Sequence, residues 1–185
     1  MKECVVYSGS FNPFHIGHLK IVEELSKRFD YVILVVSVQN PFKEDNNNFN
    51  ERFNNVKEII KKYNLKNVIV EDIENKLTKP YYTINTLRKL EEKYPDFILS
   101  YAIGADNLID FNKWKEWERF LDNYGLIILP REGYNTAELI KNLKTKSEET
   151  EMWHLLVIDI KVPNISSTEI RNKINNKENI NKLIP

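Results

Sequence analysis

Short unbroken apolar runs alternate along the chain with segments whose apolar residues recur every three or four positions. "CVVYS" (4–8) and "YVILVVSV" (31–38) are runs of β-branched and aromatic residues, the pattern of strands buried on both faces in a parallel sheet. Between them, "HIGHLKIVEELSKRF" places Ile16, Leu19, Val22, Leu25 and Phe29 at helical spacing. Strand, turn, helix and strand in succession make a βαβ unit. The pattern next predicts a helix over 49–63 with Phe53, Val56, Ile59 and Ile60 on one face, and a short strand over 67–72. A helix over 82–94 carries Ile84, Leu87, Leu90 and Tyr94 and stops at Pro95. A strand over 97–104 runs into Gly104, followed by an amphipathic helix over 112–123 and a strand over 125–130. A helix over 135–145, a last strand over 153–160 and a short helix over 167–175 complete the series.

Elements in this order predict an α/β fold built on a doubly wound parallel sheet, as one domain over 1–185. No repeat period or linker interrupts the series. The Asn-rich stretch "KEDNNNFNE" (43–51) reads as a surface loop.

Composition narrows the class. The chain is 42% hydrophobic and 29% charged, the mix of a globular protein. Its 27 Lys and Arg balance 27 Asp and Glu, so the overall field gives no reason to expect a nucleic-acid or anionic-membrane partner. The single cysteine, Cys4, lies in an apolar run and reads as a small buried hydrophobe. No apolar run reaches the roughly 18 residues of a membrane span, and no signal-peptide pattern opens the chain. The expected compartment is the cytoplasm.

The candidate chemistry begins where the first strand ends, in "SGSFNPFHIGH" (8–18). Ligands of open α/β sheets bind beyond the carboxyl ends of strands. Gly9 lets the backbone turn and approach a ligand closely, and Ser10 adds a hydroxyl. The helix that follows is expected to offer free amides and a positive dipole end to an anion, most naturally a phosphate. His15 and His18 stand one helical turn apart, so both rings can face one point. A zinc pair would need at least a third ligand. The remaining histidine is His154, Cys4 is inside a strand, and no HExxH pattern occurs.

A second anion-binding pattern stands near the other end, in "PNISSTEIR" (163–171). Ser166, Ser167 and Thr168 can cap a helix and present hydroxyls, and Arg171, a turn later, can reach the same anion with a bidentate fork.

"GSFNPFHIGH" resembles the signature of the nucleotidyltransferase superfamily with the HxGH motif, and "ISSTEIR" resembles the ISSTxxR motif that accompanies it. The resemblance implies a Rossmann-like fold. His15 and His18 would stabilise the transferring α-phosphate of ATP, with Ser10 assisting. Gly9, Phe11, Ile165, Ser166, Ser167, Thr168 and Arg171 would complete the triphosphate site. "AIGADNLIDFNKWKEWERFL" (102–121) is similar to the G-x-D-x-L…W-K segment of bacterial nicotinate-nucleotide adenylyltransferases. It implies Gly104 and Asp106 near the ATP ribose and Trp114 stacked on the pyridine ring; from its position alone, Trp114 is equally a core residue. "KPYYTINTLRKL", "VQNPFK" and "LPREGY" resemble further family segments, which nominates Tyr82, Thr83, Lys43 and Arg131 for the mononucleotide.

The implied reaction is adenylyl transfer from ATP, with Mg²⁺, to nicotinate mononucleotide. Phosphate is already an anionic nucleophile near neutral pH, so the absence of an obvious base in the motif fits this chemistry. Two departures keep alternatives open. Asn12 stands where most bacterial members carry Asp, and Asn is familiar there from nicotinamide-mononucleotide enzymes. The chain also stops at "NKLIP", where relatives usually continue through a terminal helix, so that helix is expected to be shortened or absent. Nicotinamide mononucleotide, a phosphopantetheine-type acceptor and a nucleotide-sensing module without turnover are the competing readings, and a homo-oligomer is compatible with all of them.

Overall fold

The computed structural model describes residues 1–38, 49–148 and 153–185. Six parallel strands form one sheet: β1 (Lys2–Gly9), β2 (Tyr31–Val36), β3 (Val68–Glu71), β4 (Phe97–Gly104), β5 (Gly125–Leu129) and β6 (Leu155–Val157). Their spatial order is β3-β2-β1-β4-β5-β6, so the winding reverses between β1 and β4, the doubly wound arrangement. The helices are α1 (Ile16–Ser26), α2 (Phe49–Lys62), α3 (Thr83–Lys93), α4 (Trp117–Asn123), α5 (Thr136–Lys144) and α6 (Ser167–Asn175). The expected fold class is the one observed.

The chain packs as two compact units, each assembled from two separate stretches: Met1–Tyr7 with Leu77–Ile160, and Ser8–Lys76 with Lys161–Pro185. In the first, β1 pairs with β4 from Lys2↔Phe97 to Tyr7↔Ala102, and β4 pairs with β5 from Ser100↔Gly125 to Gly104↔Leu129. Ile84, Leu87 and Leu90 of α3 and Phe120 and Leu121 of α4 are buried in this unit, as is Cys4. In the second, every residue of β2 from Val32 to Val36 is fully buried, as are Leu25 of α1, Val56 of α2 and Ile170 of α6. Five-residue burial without alternation is what a central parallel strand requires.

Three local expectations are corrected. The amphipathic helix over 112–123 is interrupted: a one-turn 3-10 helix covers Phe111–Lys113, Trp114 is extended, and α4 starts only at Trp117. The break sits at Glu116, which adopts φ 52°, and Arg88 of α3 grips its carboxylate with two bonds of 3.1 and 2.7 Å. That fork holds a non-glycine residue in the left-handed region, where a helix cannot continue. The last strand shrinks to Leu155–Val157 because it is the sheet edge and pairs only with Leu126–Ile128 of β5. On α2, the buried stripe is Arg52, Val56, Ile59 and Ile60, with Arg52 in the place expected for Phe53. Beyond α6, residues 176–185 form turns and irregular chain, and the Leu183 carbonyl accepts the Ile16 amide at 3.0 Å.

Candidate functional site

The unit built from Ser8–Lys76 and Lys161–Pro185 contains both motif segments. Gly9 ends β1, and its carbonyl accepts the Ser37 amide at 2.9 Å. Phe11 follows with φ 47° and a buried ring. His15 is the N-cap of α1, an unusual residue for that position. Its Nδ1 accepts the amides of Gly17 (3.1 Å) and His18 (3.4 Å), while Nδ1 of His18 accepts the His15 amide at 3.3 Å. The two histidines therefore form a reciprocal capping box, the role Ser and Glu usually share.

This geometry fixes the chemistry of the rings. An Nδ1 that accepts from a backbone amide carries no proton, so the neutral imidazole is protonated at Nε2 and presents that edge as a donor. The rings stack at 3.6 Å with 21° between their planes. Phe11 meets the His18 ring edge-on at 5.1 Å and Phe14 packs against it at 5.3 Å, so His18 is held on three sides. His15 is buried, while His18 is partly exposed. The glycine between them is required by close approach. A Cβ on Gly17 would lie 3.0 Å from both Nδ1 and Cε1 of His15, and 3.5 Å from Cγ2 of Ile165.

One expectation changes here. The first amides of α1 were expected to be free for an anion, but Gly17 and His18 donate to His15, and Ile16 donates to Leu183. In this helix the donor surface has moved from the backbone to the imidazoles.

α6 is joined to the same turn. Ser166 is its N-cap and accepts the Glu169 amide at 3.1 Å. The Ser167 hydroxyl donates to the Pro13 carbonyl at 3.0 Å. Arg171 donates to the Asn12 carbonyl at 2.5 Å and to the Thr168 hydroxyl at 2.9 Å. Ile165, Ser166, Ser167, Thr168 and Arg171 are thus assembled beside residues 12–17, as the two-motif reading requires. Ser10, at the start of the same turn, is held by a contact that sequence reasoning missed. Arg52 of α2, 6% exposed, donates to the Ser10 carbonyl and, at 2.9 Å, to the Ser37 carbonyl.

The other unit holds the remaining candidates. Gly104 ends β4, and Asp106 follows in a short 3-10 helix. Asp106 Oδ1 lies 3.2 Å from Nε of Arg131, an ion pair whose alignment leaves that oxygen without a hydrogen-bond partner among the described residues. Arg131, nominated for the mononucleotide, therefore pairs with a residue nominated for the ATP ribose. A Cβ on Gly104 would fall 2.5 Å from Asp106 Oδ1 and 2.7 Å from Arg131 Nε, which explains why Gly precedes x-Asp here. Tyr7, another residue missed from sequence, is buried in the field of Arg131, Tyr101 and Asp106. Burial pushes its hydroxyl up to about 12, with Arg131 opposing and Tyr101 and Asp106 adding to the rise.

Trp114 is half-buried. It stacks on Phe111 at 4.7 Å and meets Tyr101 and Phe120 edge-on at 6.3 and 6.2 Å. Tyr82 is the N-cap of α3 and is exposed, with Nζ of Lys115 5.6 Å from its ring centre, and Thr83 opens the helix. Lys43 lies outside the described residues, as does most of the Asn-rich stretch. Among the described residues, no helix is long and apolar enough to cross a membrane, and no three His, Cys, Asp or Glu side chains group as metal ligands would.

Residues 6–173 match the family model described as cytidylyltransferase-like. The chain belongs to that family. A protein of Fusobacterium nucleatum named "Probable nicotinate-nucleotide adenylyltransferase" is 37% identical over 98% of this chain and 92% of its own length. A Flavobacterium psychrophilum protein of the same name is 34% identical over 97% of this chain and 90% of its own. Among solved structures, the nicotinic acid mononucleotide adenylyltransferase of Plasmodium falciparum complexed with NaAD superposes with a TM-score of 0.79. It is 21% identical and covers 100% of this chain and 91% of its own, a likeness of fold.

Proposed function

We propose that this cytidylyltransferase-like protein transfers the adenylyl group of ATP to nicotinate mononucleotide. The products are the deamido dinucleotide and pyrophosphate, a step of NAD biosynthesis. The observation that carries the reading is the reciprocal His15–His18 cap, two imidazoles held with Nδ1 on backbone amides. A capped pair of this kind suits donation to phosphate oxygens, and ISSTEIR stands on the same turn.

In the reaction, a 5′-phosphate oxygen of the mononucleotide bonds to the α-phosphorus while the bond from that phosphorus to the α,β-bridging oxygen breaks. Pyrophosphate leaves with the electron pair. The nucleophile is already anionic, so the protein's task is alignment and charge neutralisation. His18, the more exposed ring, donates to an α-phosphate oxygen. His15 sets its position and adds a second donor, and Ser10 contributes its hydroxyl. Ser166, Ser167, Thr168 and Arg171 hold the departing pyrophosphate from the start of α6, where first-turn amides lack helical partners. Asp106, with an oxygen short of hydrogen bonds, accepts from the ATP ribose beside Gly104. Trp114, Tyr82, Thr83 and Arg131 serve the mononucleotide, as does Lys43. Mg²⁺ enters as part of the substrate, coordinated by the triphosphate.

On this reading residues 1–185 are a single nucleotidyltransferase domain working in the cytoplasm. The test is incubation with Mg-ATP and either nicotinate or nicotinamide mononucleotide, following pyrophosphate and dinucleotide together. Dinucleotide formation faster with nicotinate is expected. Faster turnover of the nicotinamide substrate would assign the acceptor to the Asn12 variant of the motif, and no turnover with either would reject adenylyl transfer.

A further inference from the structure

Arg52 and Glu74 are a buried charged pair outside both motifs. Arg52 lies on α2 and Glu74 in a one-turn 3-10 helix (Ile73–Lys76) after β3, at 6% and 8% exposure. The guanidinium donates to the carbonyls of Ser10 and Ser37. Glu74 Oε2 accepts the amide of Val38 at 3.1 Å. The Ser37 amide in turn donates to Gly9 at 2.9 Å. Three of these bonds thus tie the turn after β1 to the first residues after β2, and the fourth ties those residues to the 3-10 helix after β3.

Burial disfavours both charges. It lowers the Arg52 guanidinium from its ordinary range, opposed by Glu74, and raises the Glu74 carboxyl, opposed by the Val38 amide and then by Arg52. Nε of Arg52 is buried without a hydrogen-bond partner among the described residues. Removing two charges from water costs several kcal/mol per ion, and a buried pair is often matched or bettered in stability by apolar side chains. A guanidinium that leaves Nε unsatisfied yet places both terminal nitrogens on loop carbonyls is arranged for those carbonyls.

We propose that Arg52, neutralised by Glu74, is the positioning residue of the Gly9–Ser10 turn. It holds the Ser10 backbone, and hence the Ser10 hydroxyl and the entry to His15, where the α-phosphate of a nucleoside triphosphate is received. The inference rests on the adenylyl-transfer reading only for the identity of the reaction. It adds a residue that touches neither substrate and acts through backbone placement.

The experiment compares the wild type with Arg52→Lys and with the double variant Arg52→Met/Glu74→Gln, which removes both charges and leaves no unpaired buried ion. Lysine cannot reproduce a two-armed fork. Misplacement of a reacting group by about 1 Å can cost on the order of 10²-fold in rate. Both variants are expected to fold, to lose at least about tenfold in kcat, and to keep KM for the mononucleotide within about twofold. Affinity for a non-hydrolysable ATP analogue, measured by calorimetry, is expected to fall in parallel. Folded variants with kcat and analogue affinity both within about twofold of wild type would overturn the proposal, as would equal losses toward both substrates. If the wild type binds the analogue yet makes no dinucleotide, adenylyl transfer fails. The positioning role is then decided by analogue affinity alone: weakened binding upholds it and unchanged binding overturns it.

Discussion

Gly17→Ala separates the stability of α1 from the positioning of its histidines. Position 17 is helical, and alanine is favoured over glycine inside a helix by about 1 kcal/mol. The added methyl, however, lies 3.0 Å from two atoms of the His15 ring, so the ring must withdraw by a few tenths of an ångström. It has little room to do so. His18 stacks on it at 3.6 Å, and its Nδ1 already holds two amides at 3.1 and 3.4 Å. Withdrawal lengthens those bonds towards the limit at which a hydrogen bond ceases to count. Loss of an N-cap costs about 1 kcal/mol.

The two effects oppose each other, so the net stability change is expected within about 1 kcal/mol, or about 2–4 °C in Tm for a chain of this size. Turnover responds only to the ring displacement. We expect kcat to fall by about 10–100-fold, the scale for misplacing a reacting group, with dinucleotide formation followed at saturating Mg-ATP and Tm measured by scanning calorimetry. A variant with wild-type kcat and a full helix-propensity gain would refute the pinned-ring reasoning.

Replacing His18 by alanine removes the more exposed donor, and kcat is expected to drop by about 10²–10³, the scale of one preorganised donor; near-wild-type turnover would remove the ring from the reaction. Trp114→Ala should raise KM for the mononucleotide more than KM for ATP, whereas a fall in Tm with both KM values unmoved would limit its role to packing against Phe111 and Phe120. Tyr7 gives a pH test. Its hydroxyl is raised from 10 to about 12, so the folded state favours the protonated form and the stabilisation is complete below pH 10. It is lost as pH rises through 12, by about 3 kcal/mol for two units. Denaturant titrations at pH 9 to 12 should show a steeper alkaline decline in the wild type than in Tyr7→Phe, and parallel curves would refute the assignment.

The centre of the sheet was legible because its strands carry apolar runs, which a two-sided parallel arrangement buries: the 97–104 run became β4 without a residue changed. The helix over 112–123 was misread for a reason outside its own sequence. Its break at Glu116 depends on Arg88, from another helix. The spacing of His15 and His18 correctly brought their rings together, but spacing carries no information about which atoms the rings spend on the backbone. Histidine is not among the usual N-caps, so the amides of α1 read as free when they are capped.

Arg52 marks the boundary of what periodicity can reveal. It lies four residues before Val56 and seven before Ile59, on the same helical stripe, and that placement is the signal that could have exposed it. A charge on an apolar stripe ordinarily reads as the edge of the buried face, and the neighbouring Phe53 reads as its apolar member. What overrides that rule is a set of acceptors drawn from three other segments: the carbonyls of Ser10 and Ser37 and the field of Glu74. None is near Arg52 in sequence. A buried charge is therefore specified by the fold as a whole, and in this chain it falls on the turn where the candidate site begins.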